Sequence, residues 1–317
     1  MTLPISFDNT ETREPFELWF GQLHTTGERV VRKISRGGAP ADRLLRNEVA
    51  AASRLSQRPG YPAQLCRIVD HDLKAEAPYV TTTHRGSPVR HENTETALAL
   101  YRDLLHGIEA LARVGLTHGA ITPDAVLWDG RQAQLVDLGH AMPIGAPYTA
   151  DLPPHWLPPS NGSPLRADPS HDVYQAALLV HGVATGAPAA DAATMRARVR
   201  EAADEPLRHV LDGAFADDPG DRPSVEETLR RIDKVREYSP ARLDFRRKVA
   251  AKRAYRERQA RPVAVAWRFA VDLLDVLWHQ QSTAKGKIAL AAAAAAVVAT
   301  PFVVLAILVN WLFGGTT

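Results

Sequence analysis

The residues of this 317-residue chain that could do chemistry are few, charged and widely spaced. Lys33 closes the run Val30-Val31-Arg32-Lys33, and Glu48 follows fifteen residues later. Far downstream come Thr117-His118-Gly119-Ala120-Ile121-Thr122-Pro123-Asp124-Ala125-Val126-Leu127 and, ten residues on, Asp137-Leu138-Gly139. One lysine and separated carboxylates can pair with each other, or can hold phosphate and a divalent cation. Phosphoryl transfer asks for such groups in strict positions: a carboxylate at the substrate hydroxyl, metal ligands, a lysine on the phosphates and a loop covering them. Cys66 is the single cysteine. It cannot form an internal disulfide, has no Cys or His companions at zinc spacing, and fits a small buried residue in a reducing compartment.

The elements that must position these residues can be read from periodicity. Residues 1 to about 85 carry β-like runs, Glu28 to Ile34 and Ala77 to Thr83, around one helical stretch from Asp42 to Leu55. A small mixed α and β region is implied. From about 94 to 236 the chain reads mainly as helix, with apolar spacings of three and four in Thr96 to Val114, Asp172 to Thr185, Met195 to Ala203 and Ser224 to Val235. Between the first two lie short strands, Ala125 to Trp128 and Ala133 to Val136, joined by the hairpin signal Asp129-Gly130. Pro143 to Pro169 is a proline-rich loop, and no internal repeat is present.

The C-terminal part has a different character. Ala241 to Arg261 holds nine Lys or Arg against two acids, so the overall charge of +2 leaves about −5 elsewhere. Such a balance gives no case for nucleic acid. From Ile288 onward no residue is charged, and 288–313 is almost wholly apolar apart from Thr300, Pro301 and Asn310. As a helix that run would reach about 39 Å, enough for a hydrocarbon core of about 30 Å. Ala264 to His279 shows a narrow polar stripe, Arg268, Asp272, Asp275 and His279, on an otherwise apolar helix. It suits a membrane interface, with packing on the domain or on a second copy as the alternative. Met1 to Asn9 has no signal-peptide pattern. Lys285, Lys287 and the arginines precede the span, and only Gly-Gly-Thr-Thr ends it. The positive-inside rule then places the N-terminal bulk in the cytoplasm and makes the chain tail-anchored and single-pass. The expected boundaries are 1–85, 86–236, a basic and amphipathic juxtamembrane segment 237–285, a transmembrane helix 286–313 and a tail 314–317. The expected lipid contact runs over residues 264–313.

The 117–127 segment resembles the protein kinase catalytic loop, His-Arg-Asp-Leu-Lys-Pro-Glu-Asn plus two apolar residues, and Asp137-Leu138-Gly139 resembles the metal-binding Asp-Phe-Gly beyond its hairpin. Val30 to Lys33 is similar to the strand carrying the phosphate-binding lysine, and Glu48 to that lysine's ion-pair partner. Pro78 to Gly86 looks like the last strand and hinge, with Thr82 at the back of the nucleotide pocket. Asp172-Val173-Tyr174 with Ala184-Thr185-Gly186 looks like the central helix of the large lobe, and Asp218-Pro219 to Asp221-Arg222-Pro223-Ser224 like the arginine-bearing segment near the domain's end. Aminoglycoside phosphotransferases share the His-Gly loop and a later Asp, but the last two segments favour the protein kinase branch. The resemblance spans roughly residues 16–236. It implies an α+β bilobal protein-kinase-like fold, with a small β-rich N-lobe and a helical C-lobe, and the loop's likeness to bacterial kinases suggests a bacterial inner membrane.

Set against that pattern, the chain lacks groups the chemistry needs. Ala120 stands at the catalytic aspartate, Thr122 at the lysine two residues on and Ala125 at the second metal ligand. Asp8 to Glu14 holds no glycine, and Asp8, Glu11 and Glu14 would repel a triphosphate. Leu157-Pro158-Pro159-Ser160 replaces Ala-Pro-Glu, so Arg222 loses its usual carboxylate partner. Tyr148 and Thr149 are the only phosphorylatable hydroxyls between Gly139 and Pro159. The resemblance makes His118 a packed scaffold residue and turns Asp124 away from the substrate. Lys33, Glu48, Thr82 and Asp137 remain as the residues that would hold ATP, with Asp137 the Mg²⁺ ligand. The other reading is a structural Lys33–Glu48 ion pair and a turn-forming Asp137.

Three functions stay open. The first is a membrane-anchored pseudokinase that scaffolds or regulates a signalling protein by binding it. The second is an unconventional Ser/Thr kinase using Lys33 and Asp137 with a displaced base. The third is a spacer domain whose membrane segment carries the function.

Overall fold

The computed structural model describes residues 4–159 and 164–237, all within the unit Met1–Tyr238. Its first part is a five-stranded antiparallel sheet. Strands β1 (Ile5–Arg13), β2 (Phe16–Leu23) and β3 (Arg29–Ser35) precede helix α1 (Ala39–Ser56), and β4 (Ile68–Asp72) and β5 (Tyr79–Thr83) complete the order β1-β2-β3-β5-β4. The period-two pattern of β2 sends Phe16 and Leu18 to the face that also carries Val31 and Val80, and α1 covers it with Ala41 and Leu45. Lys33 lies in the middle of this sheet, opposite Leu18 on one side and Val80 on the other.

The rest is mainly helical. Strand β6 (Ser87–Pro88) leads to α2 (Thr94–Ala112), followed by β7 (Leu116–Thr117), the hairpin β8 (Val126–Trp128) and β9 (Ala133–Leu135), and β10 (Met142–Pro143). Helices α3 (Pro169–Thr185), α4 (Ala192–Glu201), α5 (Glu205–Leu211) and α6 (Val225–Glu237) follow. The caps are legible in sequence: the side chains of Asn93, Asp168, Asp191 and Asp204 each accept a backbone N–H in the first turn of α2, α3, α4 and α5. From His171 to His181 every residue of α3 is buried, which a helix apolar on all sides requires. It packs on α2 at the centre of the larger apolar cluster.

This mixed α and β architecture, a sheet followed by helices, is the expected one. β3, β5, α1 to α4, α6 and the β8–β9 hairpin fall where periodicity put them, within a few residues. In the hairpin, Asp129 Oδ1 accepts the N–H groups of Arg131 and Gln132 at 2.8 and 2.7 Å, and Gly130 takes φ +89°. β1, β2, β4 and α5 were not expected. β1 hides in the sequence because six of its nine residues are exposed, so it has no alternating apolar face. The region Pro143 to Pro169 is irregular as expected, with one 3₁₀ turn at Pro154–Trp156 among its described residues. Among the described residues no helix is long and apolar enough to cross a membrane. The expected basic stretch, the amphipathic segment 264–279 and the apolar run 286–313 lie outside the described residues.

Candidate functional site

Lys33, Glu48 and Asp137 meet. Glu48 lies on the buried face of α1 with Leu45 and Ala51, and its carboxylate makes an ion pair with Lys33 Nζ. Asp137 Oδ1 takes the same ammonium at 2.9 Å. Asp137 follows β9 at φ +64°, the one left-handed non-glycine among the described residues, and caps the 3₁₀ turn Leu138–His140. Aspartate tolerates that conformation better than most residues, and the turn packs on α1 through Asn47, whose Nδ2 donates to Gly139 O at 3.2 Å.

The electrostatics of the three are linked. Burial alone would lower the Lys33 pKa, but Asp137 and then Glu48 more than reverse this and hold the ammonium well above its ordinary value. Burial would likewise raise Asp137, yet Lys33 beside it brings the carboxyl down to about 2. Glu48 is 1% exposed, and there burial wins, raising its pKa against the pull of Lys33. One cation between two carboxylates is a pair over-supplied with negative charge, so it offers an incoming phosphate little.

A cleft of about 480 Å³ opens beside this cluster. Its apolar walls include Leu18, Val31 and Leu127, and Thr82 also lines it. Its front is the tip of the β1–β2 hairpin, where Arg13 pairs with Phe16 across Glu14 and Pro15. A tight two-residue turn thus occupies the place where a covering glycine loop was sought. Arg13 reaches across to Asp124 Oδ1 at 3.4 Å and also contacts Glu11 at 3.1 Å. Asp124 is among the residues that line the cleft. Around the cleft stand four carboxylates, Glu11, Glu14, Asp124 and Asp137, against Arg13 and Lys33.

The loop behind the cleft is held by hydrogen bonds to α3. Asp172 accepts the N–H groups of His118 and Gly119 at 2.7 and 2.9 Å, and Gln175 Oε1 accepts that of Ile121 at 2.9 Å. Burial pushes the Asp172 carboxyl up to about 7 despite those two donors. His118 is fully buried, and burial brings it down to about 4. Its Nε2 carries the proton, because it lies 3.0 Å from the Val136 carbonyl, which can only accept. The scaffold reading of His118 holds in this geometry. Ala120 and Ala125 are both buried, at 5% and 3% exposure. Neither brings a polar group to the cleft. The Tyr148 hydroxyl donates to Gly119 O and accepts from Gln175 Nε2 at 3.0 Å, so it is part of the same framework.

No family model and no characterised protein matches this chain.

The residues present do not suit ATP with Mg²⁺. The backbone N–H groups at the end of β5 and just beyond it are already used: Thr83 donates to Arg67 O and His84 to Arg29 O, both at 2.9 Å, and Arg85 donates to Gln134 Oε1 at 2.7 Å. A purine edge would find none of these donors free. Among the described residues no three metal-binding side chains converge, Asp137 is committed to Lys33, and the position expected for a second ligand is Ala125. Negative charge exceeds positive around the cleft, which disfavours a triphosphate.

Sequence reasoning missed Arg13, Phe16 and His84. Phe16 lies over Lys33, the ammonium 5.9 Å from its ring centre, and His84 lines the cleft with its Nδ1 buried and without a partner. Burial, aided by Arg29 and Arg13, brings His84 down to about 4, so the imidazole is neutral. The alternation Phe16, Leu18, Phe20 was the available signal for β2.

Arg222 is hydrogen-bonded to main-chain carbonyls, with Asp168, Asp218 and Asp217 acting on its charge from nearby. It is 5% exposed, donates to the carbonyls of Ala216, Pro159 and Asp217 at 3.0, 2.9 and 3.3 Å, and stacks over Tyr174 at 5.3 Å. Burial lowers its pKa.

Proposed function

We propose that this chain is a pseudokinase: a membrane-anchored domain of protein-kinase-like, bilobal fold that scaffolds or regulates a signalling protein by binding it. The reading rests on the meeting of Lys33, Glu48 and Asp137 beside a loop whose catalytic position is Ala120. Those three residues were picked from motif spacing alone, and their convergence supports the resemblance on which the fold assignment depends. Lys33 closed between two carboxylates, used backbone donors at the end of β5 and an acidic cleft all favour a domain that no longer transfers phosphate. The apolar run 286–313 and the basic stretch before it support anchoring at the inner membrane with the domain on the cytoplasmic side.

The test is thermal denaturation of the full chain in detergent, with and without ATP, each with and without Mg²⁺. No shift at millimolar nucleotide is the expected result. Saturating ligand at a hundred times its Kd would add about 2.7 kcal/mol, a shift of several degrees that the method resolves. Such a shift, removed by Lys33→Ala or Asp137→Ala, would show a working nucleotide site in the pseudokinase, and phosphate transfer from ATP to a protein would then overturn the reading.

One observation favours the unconventional kinase as a second reading: Asp124 lines the cleft and is a carboxylate within the loop. Autophosphorylation abolished by Asp124→Ala would establish it.

A further inference from the structure

We propose that the outer face of α1 is a docking surface for the anionic headgroups of a lipid bilayer. Arg43, Arg46 and Arg54 are all exposed on this helix, and Arg58 follows just past its end. At 3.6 residues per turn the first three fall within an arc of about 80°, spread over about 16 Å of helix. They stand on the side away from Glu48 and Leu45, which α1 buries.

Exposed arginines on the other helices are of both kinds: Arg200 on α4 and Arg208 on α5 meet no carboxylate among the described residues, whereas others are paired. At the end of α2, Arg113 is paired with Glu109, and on α6 exposed Arg230 and half-buried Arg231 are paired with Glu226 and Glu227, each one turn away. No such pairing occurs on α1: among the described residues neither its three arginines nor Arg58 beyond it meets a carboxylate, and the positions four residues from Arg43 and Arg54 offer Asn47 and Arg58. Asp42, one turn before Arg46, is engaged instead by Ser35 Oγ at 2.8 Å. Like charges at that spacing are mildly destabilising in an isolated helix. An unneutralised row therefore points to a negative surface outside the domain.

The chemistry of that surface follows from what accompanies the arginines. The intervening exposed positions are Ala50 and Ser53, and the single large exposed hydrophobic residue among those described is Ile144, far off in sequence. Protein interfaces are organised around buried aromatic or aliphatic anchors, and this face has none. A layer of headgroups needs only charge, worth about 1 kcal/mol per arginine near the surface. The nine basic residues of Ala241 to Arg261 against two acids give the same chain a second stretch of this kind. The inference draws on the membrane-anchor reading for the nearness of a bilayer, and on the α1 geometry for the rest.

The experiment uses the full chain carrying Cys66→Ala and Ser53→Cys, labelled with a fluorophore and added to vesicles with quencher-bearing headgroups. The vesicles are phosphatidylcholine alone or with phosphatidylglycerol. Quenching confined to the phosphatidylglycerol vesicles and lost at high salt is expected. The triple variant Arg43→Ala, Arg46→Ala, Arg54→Ala is expected to lower the docked-to-undocked ratio on the order of a hundredfold, while the triple lysine variant retains it. Alanine is the best helix former, so the fold of α1 is not at stake. Equal quenching on neutral vesicles, no quenching on either, or indifference to the alanine variant would overturn the proposal. So would tighter, salt-sensitive protection of the label by polyglutamate, which would give the face to an acidic protein. Flotation with phosphatidylcholine vesicles reads the anchor separately: a chain that fails to float there but is quenched on phosphatidylglycerol keeps the α1 surface and loses the anchor.

Discussion

Lys33 and Asp137 are 104 residues apart in the chain and 2.9 Å apart in space. That contact joins the central strand of the sheet to the turn after β9, and Glu48 shares it from α1. The three residues form a structural clasp.

Breaking the clasp from its cationic side is costly. Lys33→Ala leaves Glu48 buried with no counter-charge, and a loss of about 3–5 kcal/mol is expected, read by urea denaturation. The double variant Lys33→Met, Glu48→Leu is expected to recover most of it, because a well-packed apolar pair can replace a buried ion pair. Failure of the double variant to recover would show that the pair holds more than itself together.

The clasp also fixes how stability depends on pH. Asp137 is held at about 2, below the roughly 3.9 of an unfolded chain. Its contribution is complete above about pH 4 and is lost as pH falls toward 2. Lys33 shifts the other way, so its contribution is complete below about pH 10.4 and is lost as pH rises past that. The melting temperature of the parent is expected to fall more steeply than that of Asp137→Asn between about pH 4 and pH 2. Parallel slopes would remove Asp137 from the linkage.

Restoring the missing carboxylate is not enough to restore chemistry. Ala120→Asp places an acid at a site only 5% exposed, while Lys33 stays clasped and Ala125 stays apolar. No phosphotransfer above background is expected in a radiolabelled ATP assay, together with a stability loss of about 1–3 kcal/mol for the poorly solvated group. Measurable activity would show that the cleft still assembles around nucleotide.

Gly119 cannot accept a side chain. It takes φ +79°, and an added Cβ would meet the His140 carbonyl at 2.8 Å as well as the Met142 methyl. Gly119→Ala is expected to destabilise by more than 1 kcal/mol through both strain and crowding. A neutral effect in thermal denaturation would mean that the loop between β7 and β8 relaxes more easily than its bonds to Asp172 suggest.

The Arg13–Asp124 pair is exposed at both ends, 46% and 74%. Arg13→Ala is expected to change stability by less than about 1 kcal/mol. A larger loss would make the β1–β2 tip a structural closure of the cleft.

What the sequence disclosed follows from how strongly each feature is encoded locally. Lys33, Glu48, Thr82 and Asp137 were legible because each sits at a fixed spacing within a recognisable run, and α2 and α3 because burial imposes a long apolar period. β1 was opaque, since an edge strand with a polar surface has the composition of a loop. The contact between Arg13 and Asp124 was opaque for a different reason. It joins residues 111 positions apart in the chain, and no local pattern carries that information.

The environment of Arg222 bears on how such chains diverge. Its buried charge is met by three main-chain carbonyls, those of Pro159, Ala216 and Asp217. Every residue type supplies a carbonyl, so the side chains at these three positions are under little selection for this contact. The segment Leu157-Pro158-Pro159 is then free to drift while its backbone path is preserved, and relatives of this protein should keep the arginine while differing in the residues that hold it.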